Sequence, residues 1–86
     1  MSDEFPKSRN VARYKTKDGK YAITAAAWDG SGLGESYEIG IRDLEARGFQ
    51  LIQADWNEDQ VSKAALAVTK LLDAGMCAYD IQEIFP

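Results

Sequence analysis

The sequence predicts an α+β domain. It should have a small antiparallel sheet, made of an N-terminal hairpin plus one or two further strands, with one long amphipathic helix packed on one face and a short C-terminal helical turn. Three observations carry this: Asp18-Gly19 between two strand-like runs, an alternating segment at Tyr37–Arg42, and a 3.6-residue apolar period that starts after Asn57 and stops at Gly75. With 86 residues the chain has room for a single domain with a thin core, so a few well-packed elements must supply its stability.

Residues 1–10 are polar, contain Pro6 and show no period; they are expected to be a flexible arm ahead of a domain spanning 11–86. Asp-Gly suits a two-residue type I′ turn, in which both central positions take positive φ. Pairing Lys17 with Lys20 across that turn sets Thr16 opposite Tyr21, Tyr14 opposite Ile23 and Ala12 opposite Ala25 on the core side. The other side then carries Val11, Arg13, Lys15 and Lys17 beside Lys20, Ala22, Thr24, Ala26 and Trp28, a basic stripe that Lys7 and Arg9 would extend.

Asp29–Gly34, with three glycines, reads as a loop. Tyr37–Arg42 alternates apolar and polar and favours a strand, although Tyr37, Ile41 and Leu44 also fit a helical stripe. A short helical turn over Asp43–Arg47 should end at Gly48, with a returning strand over Phe49–Asp55. The long helix has Asn57 as its cap, Gln60 completing a capping box and Trp56 with Val61 at staple spacing. Val61, Ala64, Ala65, Val68, Leu71 and Leu72 form its apolar face, and Ser62, Lys63, Thr69, Lys70 and Asp73 its polar side. Gly75 suits a left-handed terminator, and Asp80 is placed to cap a last turn through Ile81, Ile84 and Phe85.

Composition excludes several chemistries. The chain has no histidine and one cysteine, Cys77, so it cannot assemble a Cys/His zinc site or an internal disulfide. Asp55, Glu58 and Asp59 cluster in sequence, but carboxylates in the first turn of a helix are explained by the exposed N–H groups there. The Gly30-Ser-Gly-Leu-Gly34 run departs from the dinucleotide fingerprint and is flanked by Asp29 and Glu35. Cys77 lacks a histidine partner and is expected to be half-buried. No catalytic, cofactor-binding or metal-binding residue is therefore assigned, and the expectation is a protein that is not an enzyme. The lack of a long apolar run or an apolar leader gives an expected cytoplasmic location without membrane association.

The net charge of −4 is unevenly spread. Residues 1–20 hold six basic side chains against three acids, and the remainder holds four against eleven, so a basic end of +3 joins an acidic body of −7. Two binding surfaces follow. The first is acidic, Glu35, Glu38, Asp43, Glu45, Asp55, Glu58 and Asp59, and suits a protein partner with a basic surface. In size and charge the chain is similar to small acidic proteins of phages and mobile elements, anti-CRISPR proteins among them, which implies an inhibitor or adaptor. The alternative surface is Arg13, Lys15, Lys17, Lys20 and Trp28, whose cations and aromatic suit nucleic acid. A homodimer that buries Trp28 and Leu66 is a further option.

Overall fold

The computed structural model describes residues 7–29, 36–54 and 56–84. Four strands, β1 (Lys7–Lys15), β2 (Tyr21–Asp29), β3 (Ser36–Asp43) and β4 (Phe49–Gln53), are followed by helices α1 (Glu58–Asp73) and α2 (Ala78–Ile84). The strands form one antiparallel sheet in the order β1-β2-β3-β4, the simplest path a chain of successive hairpins can take. The α+β architecture is the expected one, and the sheet contains both of the further strands. Tyr37–Arg42 lies within a strand.

The hairpin register agrees with the sequence reading near the turn: Tyr14 pairs with Ile23 and Ala12 with Ala25. The turn itself differs from the expected type I′. Gly19 N–H donates to the Thr16 carbonyl at 3.0 Å, which makes Gly19 the last of four turn residues, and Gly19 alone there has a positive φ, +75°. A wider connection over residues 17–20 results. Asp18 Oδ1 stabilises it by accepting from Thr16 Oγ1 (2.8 Å) and from the Lys20 N–H (2.9 Å). The backbone bond from Lys20, then the Thr16 hydroxyl, hold the Asp18 carboxyl below its ordinary value of 3.8, because both favour the charged form.

Farther up, the register shifts. Asn10 pairs with Ala26 and Ala12 with Ala25, so Val11 is an extra residue in a β-bulge. Side chains alternate with period two, so one inserted residue exchanges the faces of everything before it. Val11 packs against the core rather than lying on the outer stripe, and Arg9, paired with Ala27, faces the helix side. Strand β1 also includes Lys7–Asn10, ahead of the expected start near Val11.

One face of the sheet is covered. Ile23, Ala25, Ala27, Ile39, Ile41 and Ile52 are buried beneath Val61, Ala65, Val68 and Leu72 of α1 and Ile81 of α2. Ala25 and Ala65 are fully buried, and side chains this small let helix and sheet approach closely. Asn57 caps α1 by accepting from Gln60 N–H (2.8 Å) while the Gln60 side chain accepts from Asn57 N–H (3.0 Å), the expected capping box. At the other end Gly75, at φ +98°, closes a Schellman motif in which Met76 N–H donates to the Leu71 carbonyl and Gly75 N–H to that of Leu72. Thr69, expected on the polar side, is buried; its hydroxyl donates to the Ala65 carbonyl at 2.9 Å, which removes the cost of burying it.

Helix α1 is tied to the hairpin at both ends. Arg9 Nη2 meets Glu58 Oε1 at 2.6 Å, and the Lys17 N–H donates to Asp73 Oδ1 at 2.8 Å. The segment after β3 is a turn rather than a helical one: Asp43 Oδ1 accepts from the N–H groups of Glu45 and Ala46, and Arg47, not Gly48, takes positive φ (61°). Helix α2 starts before Asp80, with the Cys77 carbonyl accepting from Ile81 N–H, so Asp80 lies in its first turn and does not cap it. Phe85 lies outside the described residues.

Candidate binding site on the open sheet face

Among the described residues no helix covers the face of the sheet opposite α1. The paired strands arrange its side chains in rows: Lys15, Ala22, Arg42 and Phe49 in one; Arg13, Thr24, Gly40 and Leu51 in the next; then Asn10, Ala26, Glu38 and Gln53. Trp28 lies beyond the third row, toward the far end of β2. Ala22, Thr24, Ala26 and Gly40 form a floor of small side chains, and the larger groups around it enclose a groove of about 570 Å³.

Arg13, Lys15 and Arg42 project from this floor and are exposed. Among the described residues none of the three belongs to an ion pair, whereas Arg9 is joined to Glu58 and Lys63 to Asp59 (3.1 Å) on the helix side. Among the described residues the one acid on the groove is Glu38, which accepts from Gln53 Nε2 at 3.1 Å. Cations without ion-pair partners among the described residues, set around a floor of small side chains, form a surface that attracts anions.

Phe49, the first residue of β4, is the most exposed apolar side chain of the groove, at 59 %. Its ring extends over Gly40: a Cβ at that position would lie 3.0 Å from Cε1 and 3.1 Å from Cζ. Glycine inside a strand weakens it and marks a close approach, and here the approaching group is the Phe49 ring. Trp28 is half-buried at the opposite end; its indole Nε1 is buried and has no acceptor among the described residues.

The residues of the expected basic face are thus only partly together. Arg13, Lys15 and Trp28 line the groove, while Lys17 and Lys20 are exposed in the β1–β2 turn. Arg9 does not extend the stripe, because the bulge at Val11 turns it toward α1; the side chain of Lys7 lies outside the described residues. Sequence reasoning did not include Arg42 and Phe49. The alternation Glu38-Gly40-Arg42 against Tyr37-Ile39-Ile41 is the signal that could have found Arg42, once β3 was placed beside β2.

Five of the seven acids of the expected acidic face are among the described residues, and they lie on different parts of the fold. Glu38 lies on the groove, Asp43 and Glu45 sit at the β3–β4 turn, and Glu58 and Asp59 open α1 near Arg9. Glu35 and Asp55 fall outside the described residues, as does most of the expected glycine loop. Cys77 is exposed rather than half-buried, beside a small cleft between α2 and the β3–β4 turn that Tyr21, Gln50 and Tyr79 also line. Among the described residues no group of three or more His, Cys, Asp or Glu is placed to hold a metal ion, and no helix is long and apolar enough to cross a membrane.

Compared with protein-family models, with curated proteins and with solved structures, the chain matches none.

Proposed function

We propose that the protein is a nucleic-acid-binding module whose ligand lies on the open sheet face. The observation that supports this best is the set of cations Arg13, Lys15 and Arg42, without ion-pair partners among the described residues, around a small-residue floor with Phe49 laid over Gly40. The cations neutralise phosphates and the aromatics supply stacking surface. The acids of the two helices, Glu58, Asp59, Asp73, Asp80 and Glu83 against Lys63 and Lys70, repel a polyanion and so orient it toward the opposite side.

The test is binding of labelled oligonucleotides by fluorescence anisotropy. Three phosphate contacts give a log K against log salt slope of about −2, an affinity loss of roughly one order of magnitude between 50 and 200 mM salt. Replacing Arg13, Lys15 and Arg42 together by alanine should remove binding with the far-UV CD spectrum unchanged. Absence of binding at 50 mM salt overturns the reading.

A second reading is a protein-binding module, an inhibitor or adaptor that docks on a basic partner. It is supported by the excess of acids on the helices and by the exposure of Glu45, Glu58 and Asp59. If this surface is the functional one, Glu38→Lys, Glu45→Lys and Glu58→Lys together abolish partner capture and leave helicity intact. Neither reading assigns a reaction to the chain.

A further inference from the structure

The inference here rests on the nucleic-acid reading and narrows it: we propose that the ligand is single-stranded and that Phe49 stacks on one of its unpaired bases.

The argument begins with the ring. Phe49 is more than half exposed although a phenyl group in a strand is normally buried, and it is held over the sheet by the absence of a side chain at Gly40. A ring fixed against the backbone has lost its freedom before any ligand arrives, so stacking on it orders little further. Duplexes present phosphates and groove edges outward and keep the faces of their bases inside the stack, so this ring has no use to a duplex that stays paired. Every unpaired base has a free π-face.

The cations fit the same ligand. Arg42 is directly opposite Phe49 in the β3–β4 register, and Lys15 is in the same row two strands from Arg42 and three from Phe49, at lateral separations of about 10 Å and about 14 Å. Arg13 lies one row along, opposite Thr24. A base on Phe49 therefore has Arg42 beside it for its own phosphate, and the strand crosses the alanine and glycine floor toward Lys15 and Arg13. Among the described residues no helix or ribbon projects from the floor to enter a major groove, which is how duplex sequence is commonly read.

The test compares a fluorescein-labelled twelve-nucleotide oligo(dT) with a twelve-base-pair duplex by anisotropy at 50 and 200 mM salt, using the wild type, Phe49→Leu, Phe49→Trp and Arg42→Ala. The expected result is binding of the single strand at least tenfold tighter than the duplex. Phe49→Leu should weaken it by roughly fivefold to a hundredfold without changing the salt slope, and Phe49→Trp should retain it. Arg42→Ala should reduce the slope by about 0.7. Equal affinity for the duplex, or no effect of Phe49→Leu, overturns this inference and leaves the nucleic-acid reading standing. Failure of both ligands to bind at 50 mM salt overturns both. Phe49 is exposed, so its variants should fold, and their CD melts verify that.

Discussion

The two faces of the sheet are built from the same four strands and differ in almost every property. Beneath α1 the inward positions are Ile23, Ala25, Ala27, Ile39, Ile41 and Ile52, all buried; one residue along each strand lie Ala22, Thr24, Ala26, Gly40 and Leu51, all partly open to solvent. Small residues occur on both faces for different reasons. Ala25 and Ala27 admit the helix, whereas Ala22, Ala26 and Gly40 leave a floor with nothing packed on it. Charges differ in the same way: the helix side pairs Arg9 with Glu58 and Lys63 with Asp59, and the open side leaves Arg13, Lys15 and Arg42 without ion-pair partners among the described residues. Core packing and an open, charged surface are thus divided between alternate residues of the same strands, and neighbouring substitutions should have unrelated effects.

That division can be broken most sharply in the middle of β2. Ile23→Ala leaves a cavity under α1 and should cost about 2–5 kcal/mol, while Thr24→Ala next to it should stay within about 0.5 kcal/mol. Urea midpoints measure both, and similar losses would mean that the open face is also structural. Enlarging the alanines is a subtler comparison. Ala25→Leu must push α1 off the sheet and should cost about 1–3 kcal/mol. Ala26→Leu points into the groove, so it should leave the melting temperature nearly unchanged while obstructing any ligand there.

Smaller effects sharpen the electrostatic contrast. Arg9→Ala removes an ion pair whose two side chains are about half exposed, so a loss of no more than about 1 kcal/mol, fading in high salt, is expected. Arg13→Ala, which breaks no pair, should leave stability unchanged. The smallest effect concerns Asp18 in the hairpin turn. Its folded pKa lies below the unfolded value, so its stabilising contribution is present above pH 3.8 and is lost as pH falls through the lowered folded value. Thermal melts of wild type and Asp18→Asn should therefore differ near neutrality and converge under acid conditions; a constant difference at all pH values would show that the carboxylate charge is not what holds the turn.

Much of the fold was legible because it rests on local rules. Asn57, Gln60 and Gly75 mark the ends of α1 through hydrogen bonds that span only a few residues, and Tyr14 and Ile23 set the hairpin register through their common face. The turn type was missed because Thr16 and Asp18 together favour a wider loop than Asp-Gly alone suggests. Thr69 appeared polar in the helical pattern, yet its hydroxyl bonds to the preceding turn and is buried. The site was less legible. Arg13, Lys15 and Trp28 follow from the hairpin alone, but Arg42 and Phe49 join them only through strand order, a long-range property that no short segment encodes. Arg9 could not be placed because nothing in Arg9-Asn10-Val11-Ala12 announces an extra residue.

That extra residue makes β1 a strand of two parities. Downstream of Val11 its odd-numbered side chains, Arg13 and Lys15, face the groove; upstream, odd-numbered Arg9 faces the helix and even-numbered Asn10 takes the groove. Pairing Val11 in register with Ala26, with no bulge, would impose one parity throughout, exchange Arg9 for Asn10 on the open side and detach Glu58 from its partner, whereas deleting Val11 would leave Arg9 facing the helix. A frame of one residue, rather than any particular side chain, therefore decides whether the cation at position 9 fastens the helix or joins the three already on the groove.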